Sequence, residues 1–254
     1  MIILFDGLNV LCNVASYQPE ETAEATLREA QSVLELACPD INEAPEKYTV
    51  SFVWDPTHHG VREQSNPRKL MFPEYKGNRR QKNAKIVEAV SQKDFVKKHL
   101  KAAGIHSIEQ GGLEADDLIS FICRLSNPKP AVIVSEDKDF LQLVDHRVSV
   151  IRQNAWIADH NFHLHLGMPA TSYLDWKIVT GDPSDNIPHI MSKEQGLRWV
   201  KQGAELHELD THEQAAYHRN KNLMELKLWT KKGVVHPQTW RTIKKNWRQI
   251  AKHE

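Results

Sequence analysis

Three carboxylates fall within four residues at Glu114, Asp116 and Asp117, between the pair Gly111-Gly112 and the apolar Leu118 and Ile119. Like charges this close repel one another, and a bound cation would relieve the repulsion. Carboxylate oxygens are hard donors of the kind Mg²⁺ and Mn²⁺ prefer. The plainer alternative is a helix start, where the dipole of the backbone favours negative charge. Leu118, Ile119, Phe121, Ile122 and Leu125 do recur at helical spacing after the acids. What decides between the two readings is whether further carboxylates arrive at the same place.

The elements that would deliver them can be read from the pattern of apolar residues. Ile2 to Phe5 is a wholly apolar run suited to a strand buried on both faces, and it meets a turn signal at Asp6-Gly7. Glu20 to Cys38 has helical periodicity and ends at Pro39. Tyr48 to Trp54 is β-branched and aromatic, hence a strand, and runs into Asp55-Pro56. A basic stretch interrupted by Pro67, Pro73 and Gly77 reads as a long loop or partly helical excursion. Val87 to Ala103 is helical, Ile105 to Ile108 is a short strand, and Ala131 to Val134 is a buried strand ending in Ser135-Glu136-Asp137-Lys138-Asp139. Val148 to Arg152 is a further strand, and Tyr173 to Thr180 a helix. Asp182 precedes Pro183 as an N-cap would, with Asp185 three residues on. Alternating strands and helices predict an α/β domain with a mainly parallel sheet. Functional groups in such sheets gather beyond the carboxyl ends of the strands, where Asp6, Asp55, Asp137 and Asp139 all fall.

At 254 residues, 40% hydrophobic and 26% charged, the composition is that of a globular protein with one large domain or one domain and a small appendage. No apolar run reaches the ~20 residues that span a bilayer, so no membrane partner is expected. Met1 to Phe5 meets Asp6 at once, unlike a signal peptide. The widely spaced Cys12, Cys38 and Cys123 suggest a reducing cytoplasm, the host's if the chain is phage-encoded. The formal net charge is zero, but bases are segregated. Arg62, Arg68, Lys69, Lys76, Arg79, Arg80, Lys82 and Lys85 face only Glu63 and Glu74, and the tail from Arg219 repeats the bias. Basic stretches beside an acidic site suggest a polyanion partner. His163 and His165 alternate as on a strand face but lack a third nearby ligand for zinc, and His58-His59 beside Asp55 read as a solvent loop. Trp199, Trp229, Trp240 and Trp247 are expected packing anchors of a polar, helix-rich C-terminal part.

Six blocks in this order resemble the 5′-nuclease (flap endonuclease) family. They are Phe5-Asp6-Gly7, Phe52-Val53-Trp54-Asp55, the run from Pro73 to Arg79, Glu114-Ala115-Asp116-Asp117, Ser135 to Asp139, and Gly181 to Pro188. The likeness covers roughly the first three quarters of the chain and is closest to the compact free-standing phage 5′-3′ exonucleases. It implies a PIN-like fold, with an α/β nuclease core over residues 1–160 that includes a helical arch at about 62–100. Residues 161–254 would be a helical, helix–turn–helix-like DNA-binding region. It also implies that Asp6, Asp55, Glu114, Asp116, Asp117, Asp137, Asp139, Asp182 and Asp185 form the metal site. Tyr75, Lys76 and Arg79 would sit at the base of the arch, with Lys76, Arg79, Asp117 and Asp137 closest to the chemistry. Arg80 and Lys193 join Tyr75, Lys76 and Arg79 as expected DNA contacts.

Two Mg²⁺ or Mn²⁺ ions ~3.5–4 Å apart could neutralise a scissile phosphate, activate water and stabilise the leaving oxygen. Asp6, Asp55, Glu114 and Asp116 are assigned to one ion and Asp139, Asp182 and Asp185 to the other, with Asp117 and Asp137 central. Lys76 and Arg79 would add positive charge, and Tyr75 either stacks on an unpaired base or packs at the arch base. The expected activity is a structure-selective 5′-nuclease acting on DNA flaps, nicks and 5′ ends, with RNA–DNA hybrid and RNA primers as further substrates. The expected protein is a monomer, with unidentified replication proteins as partners. Many relatives hold potassium at the helix–turn–helix element. Here His189 to Gly196 departs from their glycine-x-glycine hairpin, which leaves that ion and the duplex grip open. A non-catalytic branched-DNA binder and an RNA-directed nuclease remain as alternatives. An aspartyl-phosphate phosphatase would want Asp-x-Asp after its first strand, whereas Asp6 is followed by Gly7-Leu8.

Overall fold

The computed structural model describes residues 1–38, 40–41, 43–56, 67–77, 84–110 and 113–226. Its strands are β1 (Ile2–Asp6), β2 (Thr49–Trp54), β3 (His106–Glu109), β4 (Ala131–Val134), β5 (Val148–Arg152) and β6 (Ala155–Ile157). They form one sheet in the order β3-β2-β1-β4-β5-β6. All neighbouring pairs are parallel except β5 and β6. The order reverses between β1 and β4, which opens a crevice at their carboxyl ends.

Both faces of the sheet are buried, as the unbroken apolar run of β1 requires. Ile2 and Leu4 enter one hydrophobic cluster and Ile3 and Phe5 the other. On the Ile3 face lie α1 (Gly7–Val14), α2 (Pro19–Ala37) and α4 (Ala84–Ala102), with Leu11, Ala30, Ala89, Val96 and Leu100 fully buried. The short α3 (Pro67–Met71) precedes α4 in the chain. On the Ile2 face lies α5 (Ala115–Leu125), packed through Leu118, Ile119 and Ile122. Beyond the sheet come α6 (Phe162–Leu166), α7 (Tyr173–Thr180), α8 (Lys193–Lys201) and α9 (Thr211–Met224). Tyr173, Ile178, Val179, Trp199, Tyr217 and Leu223 continue the α5 cluster without a break.

Each expected strand is present, and the expected helices shift by three residues at most. Two local expectations need correction. Asp6-Gly7 is not a turn. Asp6 caps α1, its side chain accepting from Asn9 N at 3.3 Å. Glycine at position 7 answers a close approach, since a Cβ there would lie 2.6 Å from the Trp54 ring. His163 and His165 lie exposed on α6 and not along a strand, so residues two apart point to different sides. Strand β6 is an addition to the expected elements; its hairpin turns on Gln153 and Asn154, left-handed residues (φ 50° and 57°) at positions where glycine or asparagine is usual.

Arg79, Arg80, His58, His59, Gly111, Gly112, Trp229, Trp240 and Trp247 lie outside the described residues, as does much of the expected arch. Among the described residues, no helix is long and apolar enough to cross a membrane.

Candidate functional site

The carboxyl ends of β1 and β4 are laced together by side chains. Ser135 Oγ donates to Asp6 Oδ2 at 2.9 Å and accepts from Asp137 N at 3.0 Å. Asn9 Oδ1 accepts from Glu136 N at 3.0 Å. Asp137 then caps the 3-10 turn Lys138–Leu143, accepting from Asp139 N at 2.8 Å. At the end of β2, Asp55 Oδ1 accepts from Ala115 N at 3.0 Å and so fixes the start of α5. The Asp55 carbonyl accepts from Lys93 Nζ at 2.5 Å, and that ammonium also pairs with Glu109 at 2.9 Å.

At the start of α5, one oxygen from each of Glu114, Asp116 and Asp117 can be chosen so that all three lie within 4.8 Å of one another. Glu114 is the N-cap residue, yet its side chain does not cap the helix. It accepts instead from Lys76 Nζ at 3.2 Å and from Arg68 Nη1 at 2.9 Å. Arg68 is 3% exposed and grips Asp117 with both terminal nitrogens, Nη2 to Oδ1 at 2.7 Å and Nη1 to Oδ2 at 3.0 Å.

The third contribution comes from the turn after α7. Asp182 caps Pro183–Asp185, accepting from Ser184 N and Oγ at 2.9 and 2.6 Å. Lys177 is nearly buried and bridges Asp139 and Asp182, with 3.3 Å to the latter. Lys76 stitches this turn to the rest. Its N–H donates to the Asp185 carbonyl at 2.8 Å, and its ammonium stands 3.9 Å from Asp185 Oδ2. Its φ of 57° is a left-handed conformation unusual for lysine, held by these contacts. Asn186 Nδ2 donates to the Glu74 carbonyl at 3.0 Å from the opposite side.

The electrostatics follow from this crowding. Burial, then the Asp55 charge, pushes the Asp6 carboxyl up to about 7. Burial and then Asp117 and Glu114 hold Asp116 well above the usual carboxylate range. Burial also raises Asp137, with Asp185 and Asp182 adding to the effect and Lys177 and Lys76 opposing it. Asp182 goes the other way, since its Ser184 donors and Lys177 outweigh its burial. Lys76 is held protonated despite burial by Glu114, Tyr75 and Asp185. Asp55 and Asp137 both act on Asp6, and Asp185 and Asp182 both act on Asp137. Ion pairs of Arg68, Lys76 and Lys177 link Glu114, Asp117, Asp139, Asp182 and Asp185, and among the described residues Glu114, Asp116 and Asp117 are the one group of three acids whose oxygens lie within 4.8 Å of one another.

Tyr75 is 3% exposed within the core, so of its two expected roles the structure shows the packing one, with Lys76 Nζ 4.9 Å from its ring centre. Lys193 is exposed at the first residue of α8, away from the acids in the hydrogen-bond network. Sequence reasoning gave no role to Ser135 or Asn9, and it counted Arg68 only within the basic stretch that suggests a polyanion partner. It also overlooked Lys177 and Lys93. Lys177 carried a signal, a cation beside apolar Ile178 and Val179 five residues before Asp182.

Comparison with known proteins bears on these features. The model of the 5′-3′ exonuclease N-terminal resolvase-like domain matches residues 3–167. The chain is 29% identical over 200 residues to flap endonuclease Xni of Shewanella denitrificans, covering 74% of this chain and 71% of that protein. It is 33% identical over 130 residues to a 5′-3′ exonuclease of Bacillus subtilis, covering 48% of this chain and 43% of that one. Among solved structures, the bacteriophage T5 flap endonuclease co-crystallised with metal ions superposes with a TM-score of 0.77 at 18% identity. That match covers 98% of this chain and 99% of that one, and identifies the same mainly parallel, PIN-like nuclease fold.

Proposed function

Because the chain belongs to the 5′-3′ exonuclease family, we propose that this enzyme hydrolyses phosphodiesters at 5′ flaps, nicks and 5′ ends of duplex DNA with the aid of divalent cations. The observation that carries the reading is the delivery of acids from β1, β2, β4, α5 and the Asp182–Asp185 turn to one end of the sheet, where carboxylates outnumber the bases among them. The donors fit Mg²⁺ or Mn²⁺, being carboxylate oxygens without cysteine or histidine among them. The carboxyls at Asp6, Asp116 and Asp137 are held toward the protonated form by burial and by neighbouring carboxylates, as groups awaiting a cation would be. Asp6, Asp55, Glu114 and Asp116 would hold one cation and Asp139, Asp182 and Asp185 the other, with Asp117 and Asp137 central.

Two such cations supply charge neutralisation at the phosphate and a water of lowered pKa. The chain's own residues do the positioning. Ser135 and Asn9 keep Asp6 and Asp137 in register across β1 and β4. Lys76 carries a fixed positive charge between Glu114 and Asp185, where a phosphate entering the site would meet it. Residues 1–160 would carry most of the metal ligands, and residues 161–254 would add Asp182 and Asp185 and the grip on duplex, with Lys193 at the exposed start of α8 among the phosphate contacts.

The test is one gel with labelled flap, nicked and single-stranded DNA, and a matching RNA flap. Cleavage of the DNA flap in Mg²⁺, its loss in EDTA, and its loss in Asp137→Asn with retained DNA binding are the expected results. Binding without turnover in either metal would make the chain a branched-DNA binder, and preference for the RNA flap an RNA-directed nuclease. Undiminished cleavage in EDTA or by Asp137→Asn would overturn the mechanism.

A further inference from the structure

Three acids cluster at the start of α5, and they are not equivalent. Both oxygens of Asp117 are occupied by the planar fork of Arg68, at 2.7 and 3.0 Å. Asp117 is 5% and Arg68 3% exposed, so this pair is shielded from water. Asp116 makes no such pair; its Oδ1 accepts only a short-range bond from Asp117 N at 2.6 Å among the contacts described. The same guanidinium reaches Glu114 Oε2 at 2.9 Å, while Glu114 Oε1 turns toward Lys76. Arginine is suited to this task because its five donors are set in a rigid plane that matches a carboxylate edge.

We propose that Arg68 is a positioning residue of the site, and that Asp117 serves as its anchor and does not ligate a cation. Asp117 fixes the guanidinium, and the guanidinium fixes Glu114 at the angle from which it shares the site with Asp116. The division resolves the crowding of α5. Asp117 is neutralised by a permanent cation of the chain, Glu114 is held by Arg68 and Lys76, and Asp116 is the member of the three with no ion pair among the contacts described. It deepens the nuclease reading and rests on it for the reaction, while its binding readout does not depend on turnover. Arg68 also carries the positional information of α3 into the site, since the start of α5 has no side-chain cap of its own.

The experiment measures Mn²⁺ binding by electron paramagnetic resonance and thermal unfolding on the full chain, with flap cleavage read in parallel. Asp117→Asn is expected to change Mn²⁺ affinity by less than about threefold, and Asp116→Asn to weaken it about tenfold or more. Arg68→Gln leaves Glu114 without the guanidinium that orients it and Asp117 buried without its cation, so Mn²⁺ affinity is expected to fall about tenfold and cleavage about 100-fold, with some loss of stability. Arg68→Lys keeps the charge without the fork and is expected to restore only part of the cleavage. If Asp117→Asn unfolds the chain, the double variant Arg68→Gln with Asp117→Asn removes the buried pair together and is compared with Asp116→Asn in the same background. Equal loss of Mn²⁺ binding in Asp117→Asn and Asp116→Asn overturns the proposal, as do undiminished Mn²⁺ binding and cleavage in Arg68→Gln. Absence of cleavage by the unaltered chain would instead overturn the nuclease reading and leave the Mn²⁺ comparison to be judged alone.

Discussion

Asp6 shows at the residue scale how the site is held ready. Its carboxyl is displaced from 3.8 to about 7 by burial and by Asp55, with Ser135 pulling the other way. The folded chain therefore keeps a proton over a pH range in which the unfolded chain has released it. An acid raised in this way makes the cation-free fold less stable as pH climbs from its unfolded to its folded value. The melting temperature in EDTA is thus expected to fall between about pH 4 and pH 7 on account of this group, and the increment given by Mg²⁺ to grow over the same range. Differential scanning fluorimetry across pH, with and without Mg²⁺, checks the sign. Ser135→Ala removes a donor that favours the charged form, so the midpoint of the pH dependence of Mn²⁺ binding should move upward by roughly half a unit or more. An unmoved midpoint would mean that Ser135 is only packing.

At the scale of elements, the site depends on helices whose roles lie outside the acid motifs. Lys93 of α4 is 2% exposed, a burial that lysine tolerates only when paired. It joins Glu109 at the end of β3 to the carbonyl of Asp55 at the end of β2. Lys97 also holds Glu109, at 2.7 Å, so Lys93→Met does not strand that carboxylate. The expected result is a stability loss of roughly 1–3 kcal/mol in urea unfolding, with a weakened Mn²⁺ affinity that Lys97→Met does not reproduce. The sequence showed β1, β2, β4 and α5 because their apolar periods reflect burial, and it showed the acids because strand ends in parallel sheets are where groups collect. It did not show α1, whose start coincides with Asp6-Gly7 and whose glycine is dictated by the Trp54 ring from another element. Nor did it show Arg68 and Lys177 as buried partners of acids, since burial of a long cation depends on which distant carboxylate meets it. The apolar spacing within a single helix cannot carry that information, because a long cation can lie along an apolar face or leave it for water.

The whole molecule is joined more tightly than its two expected regions suggest. The core on the α5 face runs from Leu4 and Ile133 through Tyr173 and Val179 to Trp199, Tyr217 and Leu223. Polar ties cross the same boundary. Tyr173 OH donates to the Lys138 carbonyl at 3.1 Å, Gln142 donates to Met224 O at 3.1 Å, and Ser120 donates to Leu226 O at 2.8 Å. Within the C-terminal part, buried Asn220 donates to the carbonyls of Ile178 and Pro188 at 3.0 and 2.8 Å and holds the turn that carries Asp185. Shared core and shared hydrogen bonds predict one cooperative unfolding transition. Calorimetry should give a single peak whose van't Hoff and calorimetric enthalpies agree, and two resolved peaks would refute this. The contact between Gly7 and the indole of Trp54 makes that ring an optical gauge of the site. The ring is fully enclosed, anchored through Nε1 to Ser107 Oγ at 3.2 Å, and set between the residues that follow Asp6 and precede Asp55. Its emission, isolated by replacing the other tryptophans with phenylalanine, is expected to change when Mg²⁺ or Mn²⁺ is added, without any attached dye.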